Sequence, residues 1–232
     1  MKVNLLCHTP NPEKTIAAAA RLCYSNSGAD ELFEGMTDEK ASDYVAMLER
    51  LGHESPLEHV TFTFTIEGVS RAFLAQITRH RIASFSVQSQ RYVAYNDGFG
   101  YVTPPSIEAL GAEAEKRFSN QTERIARWYT DWLAQIDAED ARFVLPNACE
   151  THLIVTMNAR QLKTFLGLRL CNRAQWEIRE LAWEMLAAVK KEAPMIFKDA
   201  GPGCVRGRCP EGKRSCGEPY KKEDANEAGQ SV

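Results

Sequence analysis

The chain has 232 residues, a formal charge of −3 and a pI near 6.0. That length is enough for one large domain, or two small ones, with a substantial core, and the mild acidity argues against bulk nucleic-acid binding, which usually shows a basic surplus, while leaving room for a local basic pocket. No apolar run is long enough to span a bilayer, and Met1 to Pro10 has no signal-peptide hydrophobic region, so a cytoplasmic protein without a membrane partner is expected.

Val3 to Cys7 reads as a short strand. A helix opens at Asn11 or Pro12 and runs through the alanine-rich stretch to Cys23, alanine being the best helix former. Gly28 to Gly35 reads as loop. Asp38 is placed to cap a helix running to Leu51, with Tyr44, Met47, Leu48 and Leu51 on one face. Ser55 and Glu58 fit a capping box with Pro56 at the first helical position. That pattern leaves His53 and His59 unexplained, and no third metal ligand is spaced beside them. Val60 to Ile66 alternates apolar residues with threonine, the clearest strand in the chain.

Ser70 to Thr78 reads as an amphipathic helix that ends at a basic stretch, Arg79-His80-Arg81, where a loop is expected to begin. Apolar residues are interleaved with polar ones up to Arg91-Tyr92, so the stretch is not a solvated charge run. Arginine binds phosphate or carboxylate oxygens through a rigid fork. A partner carboxylate elsewhere in the fold, or capping of helix carbonyls, would also account for the cluster. The serines and glutamines that follow it favour an anion site.

Pro104-Pro105 opens a long helix to about Ile136, with Phe118, Ile125, Trp128, Tyr129 and Trp132 at core spacing. Arg142 to Pro146 closes a short helix, Thr151 to Met157 reads as a strand, and Asn158 caps a helix to Leu166. Gly167 to Asn172 reads as a turn, and a last helix covers Ala174 to about Glu192. Beyond Gly201 the composition shifts to Gly, Pro, Lys, Glu and Ser, and disorder is expected over residues 221–232. The whole reads as an α+β fold, one domain with a central, mostly antiparallel sheet flanked by long helices over residues 1–200, then a Cys- and Gly-containing tail over 201–232.

Neither a dinucleotide-binding glycine fingerprint nor a phosphate-binding loop is present. Any anion must therefore be held by side chains, and Arg79, Arg81, Arg91, Arg142, Arg160 and Arg169 are the candidates.

Several blocks occur in order: His53-x-Ser55-x-x-Glu58-His59-x-x-Phe62-x-Phe64; Ser70-Arg71; Gln76-x-x-Arg79-His80-Arg81-x-x-Ser84; Ser89-x-Arg91-Tyr92; Asn158-x-Arg160; Leu168-Arg169; Ala174-Gln175-Trp176-Glu177. Arg-His-Arg followed after seven residues by Ser, as in Arg79 to Ser89, is the signature of the flavin-dependent thymidylate synthases, and the chain resembles that family over residues 1 to 200. The resemblance implies a homotetramer with active sites shared between subunits. It implies reductive methylation of dUMP to dTMP, with 5,10-methylenetetrahydrofolate as carbon donor, FAD as hydride carrier and NADPH as reductant, and without a covalent cysteine.

By the same resemblance, Gln76, Arg79, Gln88, Ser89, Gln90, Arg91, Arg142 and Arg169 would bind dUMP. Arg169 would be the catalytic residue, stabilising charge that develops on the pyrimidine. His53, Ser55, Glu58, Arg79, His80, Arg81, Val87, Asn158, Arg160 and Thr164 would line the FAD pocket. The chain departs from the pattern at Ser86-Val87, where many members have Asn-Glu, at Thr164 in place of Asn and at Arg173 in place of His. These changes bear on FAD phosphate and folate contacts more than on dUMP.

Of seven cysteines, Cys7, Cys23, Cys149 and Cys171 stand singly among apolar residues, where buried reduced thiols are expected. Cys204, Cys209 and Cys216 offer three thiols where tetrahedral zinc needs four ligands. A metal, a redox pair and plain thiols all remain open for that tail, and no metal site is assigned. Two other classes compete with the flavoenzyme: a nucleic-acid module built on the basic stretch, and a zinc-stabilised interaction protein. Arginines recurring in separate blocks beside Asn, Gln and Ser favour a composite pocket over the first of these.

Overall fold

The computed structural model describes residues 1–221. Four strands, β1 (Lys2–His8), β2 (Thr61–Ser70), β3 (Ala83–Val87) and β4 (Glu150–Asn158), form one sheet in the order β1-β2-β4-β3. The helices are α1 (Pro12–Leu22), α2 (Ala29–Glu34), α3 (Asp38–Leu51), α4 (Arg71–Ile77), α5 (Pro105–Glu108), α6 (Ala112–Leu133), α7 (Ala138–Ala141), α8 (Ala159–Arg169) and α9 (Trp176–Glu192). The chain divides into two compact units. The first comprises Met1–Lys2, Ile66–Arg79 and Phe85–Ile154; the second comprises Val3–Thr65, His80–Ser84 and Val155–Val232.

Alternation sets the sheet. Phe62, Phe64 and Ile66 on β2 are buried, as are Leu153, Val155 and Met157 on β4, while the residues between them face outward. Within the second unit Ala159 N–H donates to Val60 O at 2.8 Å, and Thr63 Oγ1 lies 2.9 Å from Thr156 Oγ1. Within the first unit Arg71 N–H donates to Cys149 O at 2.9 Å. One strand ascends as the other descends, so β2 and β4 are antiparallel. In the second unit α8 packs on α9, whose Ile178, Leu181, Ala182, Met185 and Val189 form the apolar stripe that a helical period buries.

Several expectations need correction. Gly28 to Gly35 is not loop: Ala29–Glu34 forms α2, with Asp30 and Glu31 in its first turn and Leu32 buried. Thr37 rather than Asp38 caps α3, accepting from Lys40 N–H. Ser55 to Glu58 makes no capping box: Ser55–His59 is a 3-10 turn without a side-chain cap, and Glu58 is drawn to Arg160 instead. The segment after Arg81 contains strand β3 rather than only loop. The long helix expected from Pro104 is broken at Gly111, whose φ of 89° lies outside the helical region. Tyr129 is buried on α6, but Trp128 and Trp132 are each 48% exposed, because only one flank of that helix faces the core. Gly167 to Arg169 continues α8 instead of turning. Among the single cysteines Cys149 is buried, whereas Cys7 and Cys23 are exposed. The disorder expected over 221–232 lies, apart from Lys221, outside the described residues.

Candidate active site

In the second unit Asn158 Oδ1 accepts from Gln161 N–H at 2.8 Å and so starts α8. Gln161, Phe165 and Arg169 then fall on one stripe of that helix, four residues apart. His80 lies over the stripe, 7% exposed. The Arg169 Nε–H donates to His80 Nε2 at 3.1 Å, the edge of the Phe165 ring meets the imidazole at 5.0 Å, and the Gln161 amide lies 3.3 Å from Nδ1.

This arrangement fixes the proton on His80. Arginine only donates, so Nε2 accepts and the neutral ring carries its proton on Nδ1. The Gln161 atom placed 3.3 Å from Nδ1 is Nε2, and a flip of the amide offers its oxygen to that proton instead. Burial, with Arg169 adding to it, lowers the His80 pKa to about 4. Arg169 is therefore oriented by an acceptor that carries no charge.

On the outer side of α8, Arg160 spans two carboxylates: Nε donates to Glu54 Oε2 at 3.2 Å and Nη1 to Glu58 Oε1 at 2.6 Å. These bonds, Glu58 first, push its pKa further up. Thr164 turns its hydroxyl back to Arg160 O at 3.1 Å. Lys163 pairs with Glu49. His53 and Ser55 are exposed, and a cavity of about 780 Å³ is lined by His53, Glu54, Lys163, Thr164 and Arg206. Arg81 is exposed.

In the first unit Ser70 caps α4 by accepting from Phe73 N–H, and Gln76 O accepts from Arg79 N–H at 3.4 Å. Arg79 is exposed. Ser89 Oγ accepts from Arg91 N–H at 3.2 Å and Ser89 O from Val93 N–H at 3.0 Å, which bends the chain sharply here. Glu139 collects two arginines: Arg91 Nε donates to its carboxylate at 2.7 Å and Arg142 Nε to its backbone carbonyl at 2.9 Å. Val87 ends β3, half-buried.

Gln88 and Gln90 face inward partners. Gln88 O accepts from Arg71 Nη2 at 2.7 Å, Gln88 Oε1 from the Tyr95 hydroxyl at 3.4 Å, and Gln90 Nε2 donates to Cys149 Sγ at 3.5 Å. Burial pushes both the Tyr95 and the Cys149 pKa up.

Sequence reasoning missed Glu139, Gln161, Glu54 and Tyr95, and named Arg71 in a motif block without giving it a role. Gln161 was within reach, standing eight residues before Arg169 on the same helical stripe. The Glu139 contact joins residues 48 apart and has no local signal.

The fold is α+β, arginines are held at defined positions in both units, and the sequence has no glycine-rich phosphate loop. The family model described as thymidylate synthase complementing protein matches residues 4–195. A flavin-dependent thymidylate synthase of Geobacter sulfurreducens is 56% identical, covering 94% of each chain. One from Clostridium tetani is 50% identical over 94% of this chain and 93% of that protein. The solved structure of the flavin-dependent thymidylate synthase ThyX from Helicobacter pylori, complexed with FAD and dUMP, superposes with a TM-score of 0.66 at 28% identity, covering 87% of this chain and all of that one. The chain belongs to the family of flavin-dependent thymidylate synthases.

Proposed function

We propose that the protein reductively methylates dUMP to dTMP, with 5,10-methylenetetrahydrofolate as carbon donor and NADPH as reductant. The observation that carries this is Arg169, oriented on a neutral imidazole at the end of α8. A cation fixed there can stabilise charge that develops on a pyrimidine carbonyl. Arg79, Arg91 and Arg142, with Gln76, Gln88, Ser89 and Gln90, would hold dUMP, whose phosphate dianion suits forked donors.

FAD, when bound, supplies the hydride. The residues fit it: the cavity lined by His53 and Thr164 is within the size range of cofactor sites, and Arg160, exposed beside it, offers a guanidinium that can exchange carboxylate for phosphate. Ser55, Glu58, Arg79, His80, Arg81, Val87 and Asn158 complete the proposed set. His80 orients Arg169, and Asn158 positions the helix through its cap. Cys149 supports a mechanism without a covalent thiol, since burial keeps it protonated. A cytoplasmic homotetramer with sites shared between subunits completes this reading. The catalytic domain spans 1–200. No helix among the described residues is long and apolar enough to cross a membrane.

The test is direct. Purified protein with FAD, dUMP, methylenetetrahydrofolate and NADPH should form dTMP, and its flavin absorbance should shift on adding dUMP. Protein that retains no flavin and leaves dUMP unchanged would refute the reading.

A further inference from the structure

The described part of the tail, residues 201–221, has little apolar content, and its 3-10 turns Gly203–Arg206 and Gly212–Arg214 bury no residue. It is nevertheless folded against the turn between α8 and α9. Asn172 Nδ2 donates to Glu218 O at 3.2 Å, the Tyr220 hydroxyl donates to Asn172 Oδ1 at 2.6 Å, the Arg173 guanidinium donates to Arg214 O, and the Tyr220 ring packs on Trp183. A segment this small and polar needs a staple beyond hydrophobic burial, and its cysteines are all free.

Between tail and turn lies a cavity of about 270 Å³, and four thiols line it: Cys171, Cys204, Cys209 and Cys216. The tail supplies three thiols, and the fold brings the fourth from the end of α8. The loops carrying Cys204 and Cys209 approach closely: a Cβ on Gly203 would stand 2.7 Å from Pro210 Cγ. Gly217 follows Cys216 at φ 83°, and the Glu218 N–H reaches back to donate to Cys216 Sγ at 3.4 Å.

We propose that these four cysteines form a tetrathiolate site for one thiophilic divalent ion, zinc or ferrous iron, which staples the tail to the end of α8. Four sulfur ligands select such an ion. Loading breaks four S–H bonds, forms four metal–sulfur bonds and releases four protons to solvent. The resulting dianionic centre is matched by Arg173, Arg206, Arg208, Lys213 and Arg214 on the same stretch of chain. Among the described residues no three His, Cys, Asp or Glu groups already stand at coordinating distance. Loading therefore requires the four thiols to turn into the cavity they line, to about 2.3 Å from a zinc ion. The proposal does not depend on the thymidylate reaction.

The experiment is elemental analysis of the full chain, purified under reducing conditions without chelator. One zinc or iron per chain is expected, the element found distinguishing the two. Titration with a mercurial should release it in step with four thiols, a measurement on intact protein that stands even where variants fail to fold. C209S and C216S should lose the ion, whereas C7S and C23S, whose thiols lie outside the cavity, should keep it. Folded protein that carries no metal, and takes up neither zinc nor cobalt when these are added, overturns the proposal. So does metal loss in C7S.

Discussion

Two regions of the molecule hold arginine in opposite ways. In the first unit Arg91 and Arg142 converge on Glu139, one on its carboxylate and one on its carbonyl. In the second unit the Nε of Arg169 is bonded to His80, which burial keeps neutral. A carboxylate partner holds an arginine by charge, and an incoming phosphate must compete with it. An imidazole partner fixes direction without cancelling charge. The first arrangement suits a group that trades an internal anion for a ligand; the second suits a group whose field acts on a reaction.

The largest effect that tests this contrast is Arg169→Ala. Removing a preorganised cation of this kind costs about 3 kcal/mol or more of transition-state stabilisation. dTMP formation should fall at least about a hundredfold, with a much smaller change in dUMP affinity, since the proposed phosphate donors are other arginines. Single-turnover rates and dUMP titration of the same variant separate these two. Near-normal turnover would remove Arg169 from the chemistry.

His80 comes next, through pH. Its folded pKa of about 4 lies below the ordinary 6.5, so the unfolded chain takes up a proton first as pH falls. The stability contributed by the neutral ring is fully present above 6.5 and is lost as pH drops from 6.5 towards 4. At roughly 1.4 kcal/mol per pH unit the loss reaches about 3 kcal/mol. Urea unfolding of wild type and of His80→Gln over that range should show this component in wild type only. Parallel profiles for the two proteins would mean that His80 titrates normally.

What the sequence disclosed about these regions follows from the range of each interaction. The strand at Phe62, Phe64 and Ile66 and the cap at Asn158 depend on neighbours two and three residues away, and both were legible. Caps were misread where two candidates adjoin: Thr37 and Asp38 both fit, and only the backbone geometry selects Thr37. Ser55 and Glu58 match a capping box in spacing, but Arg160, 102 residues away from Glu58, wins the carboxylate. Trp128 and Trp132 share the helical spacing of Tyr129, yet periodicity does not say how wide the buried face is. The fourth thiol of the tail cavity was invisible as well, since only the fold brings Cys171 to line the same cavity as Cys204.

The smallest effect concerns Glu139 itself. Both members of the Arg91–Glu139 pair are about half exposed, so the pair contributes only about 0.2–1 kcal/mol. Glu139→Gln removes that competitor while keeping the backbone carbonyl that anchors Arg142. If the dUMP phosphate displaces the carboxylate from Arg91, the variant should bind dUMP up to about fivefold more tightly, the same energy read as affinity. The gain should shrink as salt rises, because the competing pair is screened. Calorimetric titration at two salt concentrations measures both. Weaker binding in the variant would show that Glu139 holds Arg91 ready for the phosphate instead of contesting it, and the contrast between the two regions would then be one of partner only, not of role.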